Sequence, residues 1–245
     1  MPAARVRLDD DTWLLVLTGA GVSAESGVPT FRAGGGLWEQ HPVEQVATPE
    51  GFSADPELVW RFYSARRVQA RACEPNPGHL ALAALEERLG ERLLLVTQNV
   101  DGLHRRAGSR RLIEIHGSLF LTRCSGCDRA PFADERVFER PPLPACEACG
   151  RLLRPAVVWF GELLDPEHLR AIESFIARGR RRRLVFLAAG TSGAVYPAAG
   201  LVDNARAAGG ETWLVNADPA DNLRRFHHFV QGQSGEVLPA LFEFA

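Results

Sequence analysis

The sequence predicts an α/β fold: a doubly wound, mostly parallel sheet carrying two insertions, one a helical flap and one a small cysteine-rich module. Three observations predict it. Short, uniformly apolar runs recur and end in Gly, Asn or Ser, as strands buried on both faces of a parallel sheet do. Helical patterns lie between these runs, giving strand–helix alternation. Two stretches, at about 31–75 and 120–155, break that alternation.

The strands are expected at 13–17, 93–96, 112–115, 184–188 and 213–215, and the helices at 56–71, 78–89, 166–178 and 197–208. Several helices begin with Pro in the first turn, where its missing N–H is harmless. The core then comprises 1–30, 76–119 and 156–245, with the flap at 31–75 and the cysteine module at 120–155, all within one domain of 245 residues. In such sheets ligands bind beyond the carboxyl ends of the strands, and the glycine and polar motifs fall at those ends.

A net charge of -2 argues against a nucleic-acid or membrane-surface protein. The run Arg178-Gly179-Arg180-Arg181-Arg182-Arg183 is therefore read as a solvated helix end rather than a nucleic-acid patch. The first eight residues hold no apolar stretch of the signal-peptide kind, and no run of about 18 apolar residues predicts a membrane span. Four of the five cysteines sit in two close pairs, which favours metal ligation in a reducing compartment over disulfides. A cytoplasmic location is the expectation.

The first strand runs into Gly19-Ala20-Gly21-Val22-Ser23-Ala24. Glycines here allow either a pyrophosphate to approach the backbone or a tight turn to pack. A dehydrogenase would place an Asp or Glu at the end of a second strand about 20 residues on. Glu39 has that distance, but it follows Gly34-Gly35-Gly36-Leu37-Trp38, which is no strand pattern, so hydride transfer is disfavoured. Gln98-Asn99-Val100-Asp101 ends another strand, and suits a ribose or carboxamide as well as a capped turn. His116 follows the third strand, an imidazole at the ligand edge that fits either catalysis or the core. Cys124-x-x-Cys127 and Cys146-x-x-Cys149, separated by residues 128–145, match a four-thiolate zinc site. A closed tetrahedral site leaves no position for water, so this zinc is expected to be structural. Cys73 stands outside the set, as an ordinary thiol.

Taken together, these residues resemble the sirtuin family. The resemblance is carried by Gly19-Ala20-Gly21-Val22-Ser23-Ala24-Glu25-Ser26-Gly27-Val28-Pro29-Thr30-Phe31-Arg32, Gln98-Asn99-Val100-Asp101 and His116-Gly117. The four cysteines, Val158-Trp159-Phe160-Gly161-Glu162, Gly190-Thr191-Ser192 and Asn216 complete it, in family order over about 13–239. It implies a Rossmann-like core, NAD as cofactor and one structural zinc. It also implies removal of acyl groups from protein lysines, yielding nicotinamide and acyl-ADP-ribose. By this resemblance NAD lies on Gly19, Ala20, Gly21 and Ala24, with Phe31 and Arg32 closing over it. Gln98, Asn99 and Asp101 hold the nicotinamide and ribose end. Gly190, Thr191, Ser192, Asn216 and Ser234 take the adenosine side. His116 is the general base, with Asn99 and Asp101 beside it in the catalytic set. An acylated lysine peptide adds as a strand between Val158, Phe160, Gly161 and Glu162 on one side and Val195 and Tyr196 on the other. No membrane, nucleic acid or obligatory oligomer is implied.

Tyr63 and Arg66, three apart on a predicted helix, share one face. Helix statistics alone fit an amphipathic helix with a solvated Arg. Within the family, the pair matches the Tyr-x-x-Arg element of class III sirtuins, which remove malonyl, succinyl and related acidic acyl groups. Val43 is expected to line the same pocket where such members carry Ala, and to trim it. No Lys occurs in the chain, so it offers no lysine side chain of its own for acylation. Two other functions are consistent with parts of the sequence: an ADP-ribosyltransferase on the same scaffold, and a non-enzymatic zinc-ribbon binding module.

Overall fold

A strand apolar at every position must be covered on both faces, and two helical layers provide the cover here. The computed structural model describes residues 5–29, 37–38 and 41–245. The chain opens with β1 (Val6–Leu8) and β2 (Thr12–Thr18), then turns into the short helix α1 (Ala20–Ala24). In the flap, β3 (Leu37–Trp38) pairs antiparallel with β4 (His41–Pro42), and α2 (Val43–Val46), α3 (Pro49–Ala54) and α4 (Pro56–Ala72) follow. The chain returns to the core through α5 (Pro77–Leu89), β5 (Leu93–Thr97), α6 (Leu103–Arg106) and β6 (Leu112–Glu114). A separate antiparallel sheet holds β7 (Gly117–Cys124), β8 (Phe132–Ala133) and β9 (Leu153–Val157). The remaining elements are α7 (Pro166–Arg180), β10 (Arg183–Ala189), α8 (Leu201–Ala207), β11 (Glu211–Asn216), β12 (His228–Gln231), α9 (Ser234–Leu241) and β13 (Phe242–Phe244).

The main sheet runs β12-β11-β10-β2-β5-β6, every pair parallel. Strand order reverses between β2 and β10, which makes their carboxyl ends the switch point where such sheets take ligands. Alternate residues of β2 serve opposite faces. Leu15 and Leu17 pack with Phe186, Phe175 and Val202 beneath α7 and α8, while Leu14 and Val16 pack with Leu82, Leu187 and Leu238 beneath α5 and α9. Each such side chain contributes about 1.5–3 kcal/mol by leaving water, and Phe186→Ala at the centre costs about 3–5 kcal/mol.

The helices start where local chemistry stops the extended chain. Asp55 caps α4 by accepting from Leu58 N at 2.8 Å, with Pro56 in the first turn. Asn76 and His79 form a reciprocal cap on α5.

The structure adds elements beyond the sequence expectation. The edge strand β12, the β1–β13 pair, the small β3–β4 pair and the antiparallel sheet are all new. β7 and β9 cross the expected module boundaries at 119/120 and 155/156. The helix expected at 197–208 is regular only from Leu201, after a tighter turn at Ala198–Gly200. Leu37 and Trp38, read as no strand, form a two-residue one that lies outside the main sheet, and Glu39 falls outside the described residues. The arginine run ends α7 and is partly paired: Arg182 meets Asp11 at 2.9 Å and Arg183 meets Glu211 at 3.0 Å. Among the described residues, no helix is long and apolar enough to cross a membrane.

Candidate active site

The carboxyl ends of β2, β5, β10 and β11 open on one cavity of about 1030 Å³. Its floor is two interlocked turns. A Cβ on Gly19 would stand 2.7 Å from Gly190 O, and one on Gly21 would stand 2.8 Å from Gly190 Cα. Gly190 itself has φ +60, and a side chain there would run into Val22 N. Only glycine fits these positions. Gly19, Ala20, Gly21 and Ala24 also line the cavity, so the turn is both tightly packed and open to a ligand. Phe31 and Arg32 lie outside the described residues.

The amide of Gln98 donates to Thr191 Oγ1 at 3.1 Å, joining the ends of β5 and β10. Asn99 Nδ2 donates to Gly19 O and to Ser23 Oγ, both at 3.0 Å. Asp101 is buried and accepts from Leu103 N at 2.9 Å. Burial pushes its carboxyl pKa up, against the hydrogen bonds from Leu103 and Ser23. Behind Asn99 lies a buried polar network that the sequence did not disclose. Ser23 Oγ lies 3.4 Å from His79 Nε2, and Thr18 Oγ1 joins Thr97 Oγ1 at 2.8 Å and His104 Nε2 at 2.9 Å. Burial lowers the pKa of His79 to about 4 and that of His104 well below the ordinary value, so both rings are neutral.

His116 sits at the junction of β6 and β7, where Gly117 takes φ +81 and any Cβ would collide with the Ala156 carbonyl. Its Nδ1 lies 3.1 Å from Gln98 O. A carbonyl can only accept, so Nδ1 carries the proton and Nε2 keeps the lone pair. Burial lowers the His116 pKa and the Gln98 carbonyl partly opposes this, leaving a neutral base at pH 7.

Tyr63 and Arg66 both reach the cavity from α4 and are buried, Arg66 being 6% exposed. Tyr63 Oη accepts from Trp159 Nε1 at 2.9 Å, and burial raises its pKa, so the phenol keeps its proton. The expectation for Val43 is corrected. Val43 packs against the apolar cluster of Trp60 and Phe52, and Ala47, four residues on, lines the cavity instead. α2 ends there, with Ala47 N bonded to Val43 O at 2.8 Å. Ala47, and not Val43, thus lines the cavity that Tyr63 and Arg66 also line.

Val158, Phe160 and Gly161 line the cavity, as do Val195 and Tyr196. Glu162 also lines it, but its carboxylate turns inward. It binds Arg154 through two bonds of 2.7 and 2.8 Å and accepts from Trp159 N at 2.8 Å. Those bonds hold its pKa low against burial, so Glu162 braces the segment. On the far side, Thr191, Ser192, Asn216 and Ser234 line the cavity. The Asn216 amide is engaged at both ends: Oδ1 accepts from Thr191 N at 3.0 Å and Nδ2 donates to Thr191 O at 2.7 Å. It shapes the β10 turn as well as facing the cavity.

The four cysteine sulfurs of Cys124, Cys127, Cys146 and Cys149 lie within 4.8 Å of one another. Cys124 and Cys149 are 3.4 Å apart, and Cys127 and Cys146 3.8 Å. Tetrahedral zinc with bonds of about 2.3 Å needs sulfur edges of about 3.8 Å, so a four-thiolate zinc fits this set. Cys73 is buried beside Val28 and Leu103, an ordinary core thiol.

Known proteins carry the same arrangement. Residues 19–197 match the Sir2 family. The NAD-dependent protein deacylase 2 of Pyrobaculum aerophilum is 49% identical over 229 residues, covering 94% of this chain and 89% of that protein. An NAD-dependent protein deacylase of Escherichia coli (strain K12) is 47% identical over 234 residues, covering 94% and 81%. Among solved structures, a Sir2 homologue in complex with NAD aligns with a TM-score of 0.84 at 45% identity, covering 93% of this chain and 87% of that one. A Sir2 bound to acetylated peptide aligns at 0.78 and 30% identity, covering 92% and 90%. The likeness takes in sheet, flap and cysteine module together, and the chain therefore belongs to the Sir2 family, the sirtuins.

Proposed function

We propose that this sirtuin is an NAD-dependent protein-lysine deacylase that favours acyl groups ending in a carboxylate, such as succinyl and malonyl, and also accepts acetyl. The observation that carries the preference is a buried guanidinium and a protonated phenol, Arg66 and Tyr63, on the cavity that also holds His116. A guanidinium lining a cavity favours a carboxylate, which it binds through charge-assisted and often paired hydrogen bonds. Ala47, a small side chain, lines the same cavity.

NAD supplies the ribose carbon from which nicotinamide departs and the sugar that carries the acyl group away. The protein's part is positioning and proton handling. The Gly19 and Gly190 turns form the floor for the pyrophosphate, and Thr191, Ser192, Asn216 and Ser234 face the adenosine side. Asn99 and Asp101 hold the nicotinamide and ribose end, Asn99 itself fixed by Gly19 O and Ser23. His116, its Nδ1 proton committed to Gln98, uses Nε2 to take a proton from a ribose hydroxyl. The peptide adds as a strand between 158–162 and Val195-Tyr196, whose exposed Phe160 and Tyr196 offer apolar contacts. Zinc on the four cysteines holds the module and takes no part in the chemistry. Its thiolates suit a reducing compartment, consistent with the cytoplasm.

Relatives named as deacylases favour this reading over ADP-ribosyl transfer to protein. The test is a set of acetyl-, malonyl-, succinyl- and glutaryl-lysine peptides incubated with and without NAD, read by mass spectrometry. Loss of the acidic acyl groups only when NAD is present is expected. ADP-ribose appearing on the peptide or on added protein, with the acyl group intact, contradicts it.

A further inference from the structure

The helix α4 has two working faces. Tyr63 and Arg66 line the cavity. Trp60, Ser64 and Arg67, spaced i, i+4, i+7, form a second stripe against the antiparallel sheet. Trp60 Nε1 donates to Leu153 O at 3.0 Å. Ser64 Oγ accepts from Phe138 N at 2.8 Å and donates to Phe138 O at 3.3 Å. Arg67 is fully buried. Its Nε donates to Leu119 O at 2.6 Å, its Nη1 to Arg136 O at 2.7 Å, and its Nη2 to Thr122 Oγ1 at 2.9 Å and Leu121 O at 3.3 Å. Every acceptor lies on β7, on β9 or on the chain between them, the stretch 117–157 that also carries the four cysteines.

Stability alone does not account for an arginine there. Burying a guanidinium is costly, and an apolar residue of similar volume packs as well or better. Desolvation lowers the Arg67 pKa to about 10 even with Asp134 attracting it, and the Asp134 carboxylate is bound to Arg136 at 2.8 Å. What the guanidinium adds is direction: donors in one rigid plane fix both the rotation and the register of the helix. Arg66 is the next residue, so any slip of α4 moves its fork.

We propose that Arg67 is a positioning residue for acyl selectivity, clamping α4 to the cysteine-bearing sheet and so setting where Tyr63 and Arg66 stand in the cavity. The proposal rests on the preference for acidic acyl groups proposed above. The expected effect is selective because none of the described NAD-side candidates lies on α4: they sit at strand ends and turns, on α1 and at the start of α9. His116, three residues before Leu119, has its own anchors in Gln98 O and in Val158 N, which donates to its carbonyl at 2.9 Å.

The test compares wild type, Arg67→Met, Arg67→Lys and Arg66→Met on succinyl- and acetyl-lysine peptides. A displacement on the order of 1 Å can cost a hundredfold. Arg67→Met is thus expected to raise KM for the succinyl peptide about tenfold or more, with acetyl kcat and KM for NAD kept within about twofold. Arg67→Lys, which reaches some of the acceptors, is expected to recover part of the loss. Parallel loss on both peptides, or an unchanged succinyl-to-acetyl ratio, overturns the proposal. If Arg66→Met abolishes the succinyl preference and Arg67→Met leaves it intact, only the clamp fails. If wild type shows no succinyl preference, or Arg66→Met does not reduce it, the acidic-acyl reading fails and the clamp with it. Should Arg67→Met not fold, Ser64→Ala weakens the same seam and must lower the ratio about twofold; an unchanged ratio in folded Ser64→Ala overturns the proposal equally.

Discussion

At the scale of single residues, the cavity divides labour among side chains whose environments differ. In the proposed reading Arg66 supplies a charge-assisted contact only to an acyl group that ends in a carboxylate, a contact of about 1.5–3 kcal/mol. Arg66→Met should therefore lower kcat/KM for a succinyl peptide about 10- to 100-fold and leave the acetyl peptide within about twofold. Equal losses on both peptides remove Arg66 from the specificity role. His116 must be unprotonated to act as a base, and burial holds its pKa below the ordinary 6.5. The rate should stay flat above neutrality and fall on acidification, with a midpoint below 6.5. His116→Tyr should lose at least two to four orders of magnitude in turnover. A limb centred above 6.5 contradicts the buried-base geometry. The place of His116 and Arg66 at the cavity was legible in the sequence through the family pattern, since each read alone fits a core or solvated side chain as well. Ala47 was not, since a methyl group carries no chemical signature and only the turn of α2 brings it, rather than Val43, to the pocket. Ser23 stood in the glycine motif without a role, and His79 and His104 were missed, because hydrogen bonds between residues 56 and 86 positions apart leave no local pattern.

Among the elements, the cysteine module ties the second sheet to the flap. Metal ligation there is folding free energy, because the ligands are gathered only in the folded chain. Cys124→Ala, or treatment with a strong chelator, should lower Tm by about 10 °C or more in thermal unfolding. Activity at 20 °C in whatever stays folded should fall much less. An unchanged melting curve in protein verified free of zinc would contradict the structural assignment. The strands β2, β5, β10 and β11 were legible because a doubly covered strand must be apolar throughout. β7 and β9 were not: their partners are long-range, their bulged register breaks alternation, and Arg123 and Arg154 interrupt their apolar content. The edge strand β12 was hidden for a related reason, since half-buried His228 and polar Gln231 make it resemble a loop.

For the molecule as a whole, two neutral imidazoles in the core make stability depend on pH. His79 in the folded chain takes its proton only near pH 4, against 6.5 in the unfolded chain. Between these values the unfolded state binds more protons, so stability falls as pH drops. The loss from His79 alone is on the order of 3 kcal/mol across that interval, and His104 shifts in the same direction. Urea titrations at pH 7.5, 6 and 5 should show the midpoint falling steadily, and His79→Asn should flatten the trend. A midpoint independent of pH over that range would mean that the rings are not buried as neutral groups.

The interlocked glycines carry one more consequence, for the order of events at the ribosome. Gly19 and Gly21 are made well before Gly190, against which they close, with residues 22–189 synthesised in between. Until then the nascent polypeptide has no finished seat for a dinucleotide. The coenzyme cannot act as a folding chaperone while those intervening residues are being made, and its stabilising grip begins only once that later strand docks.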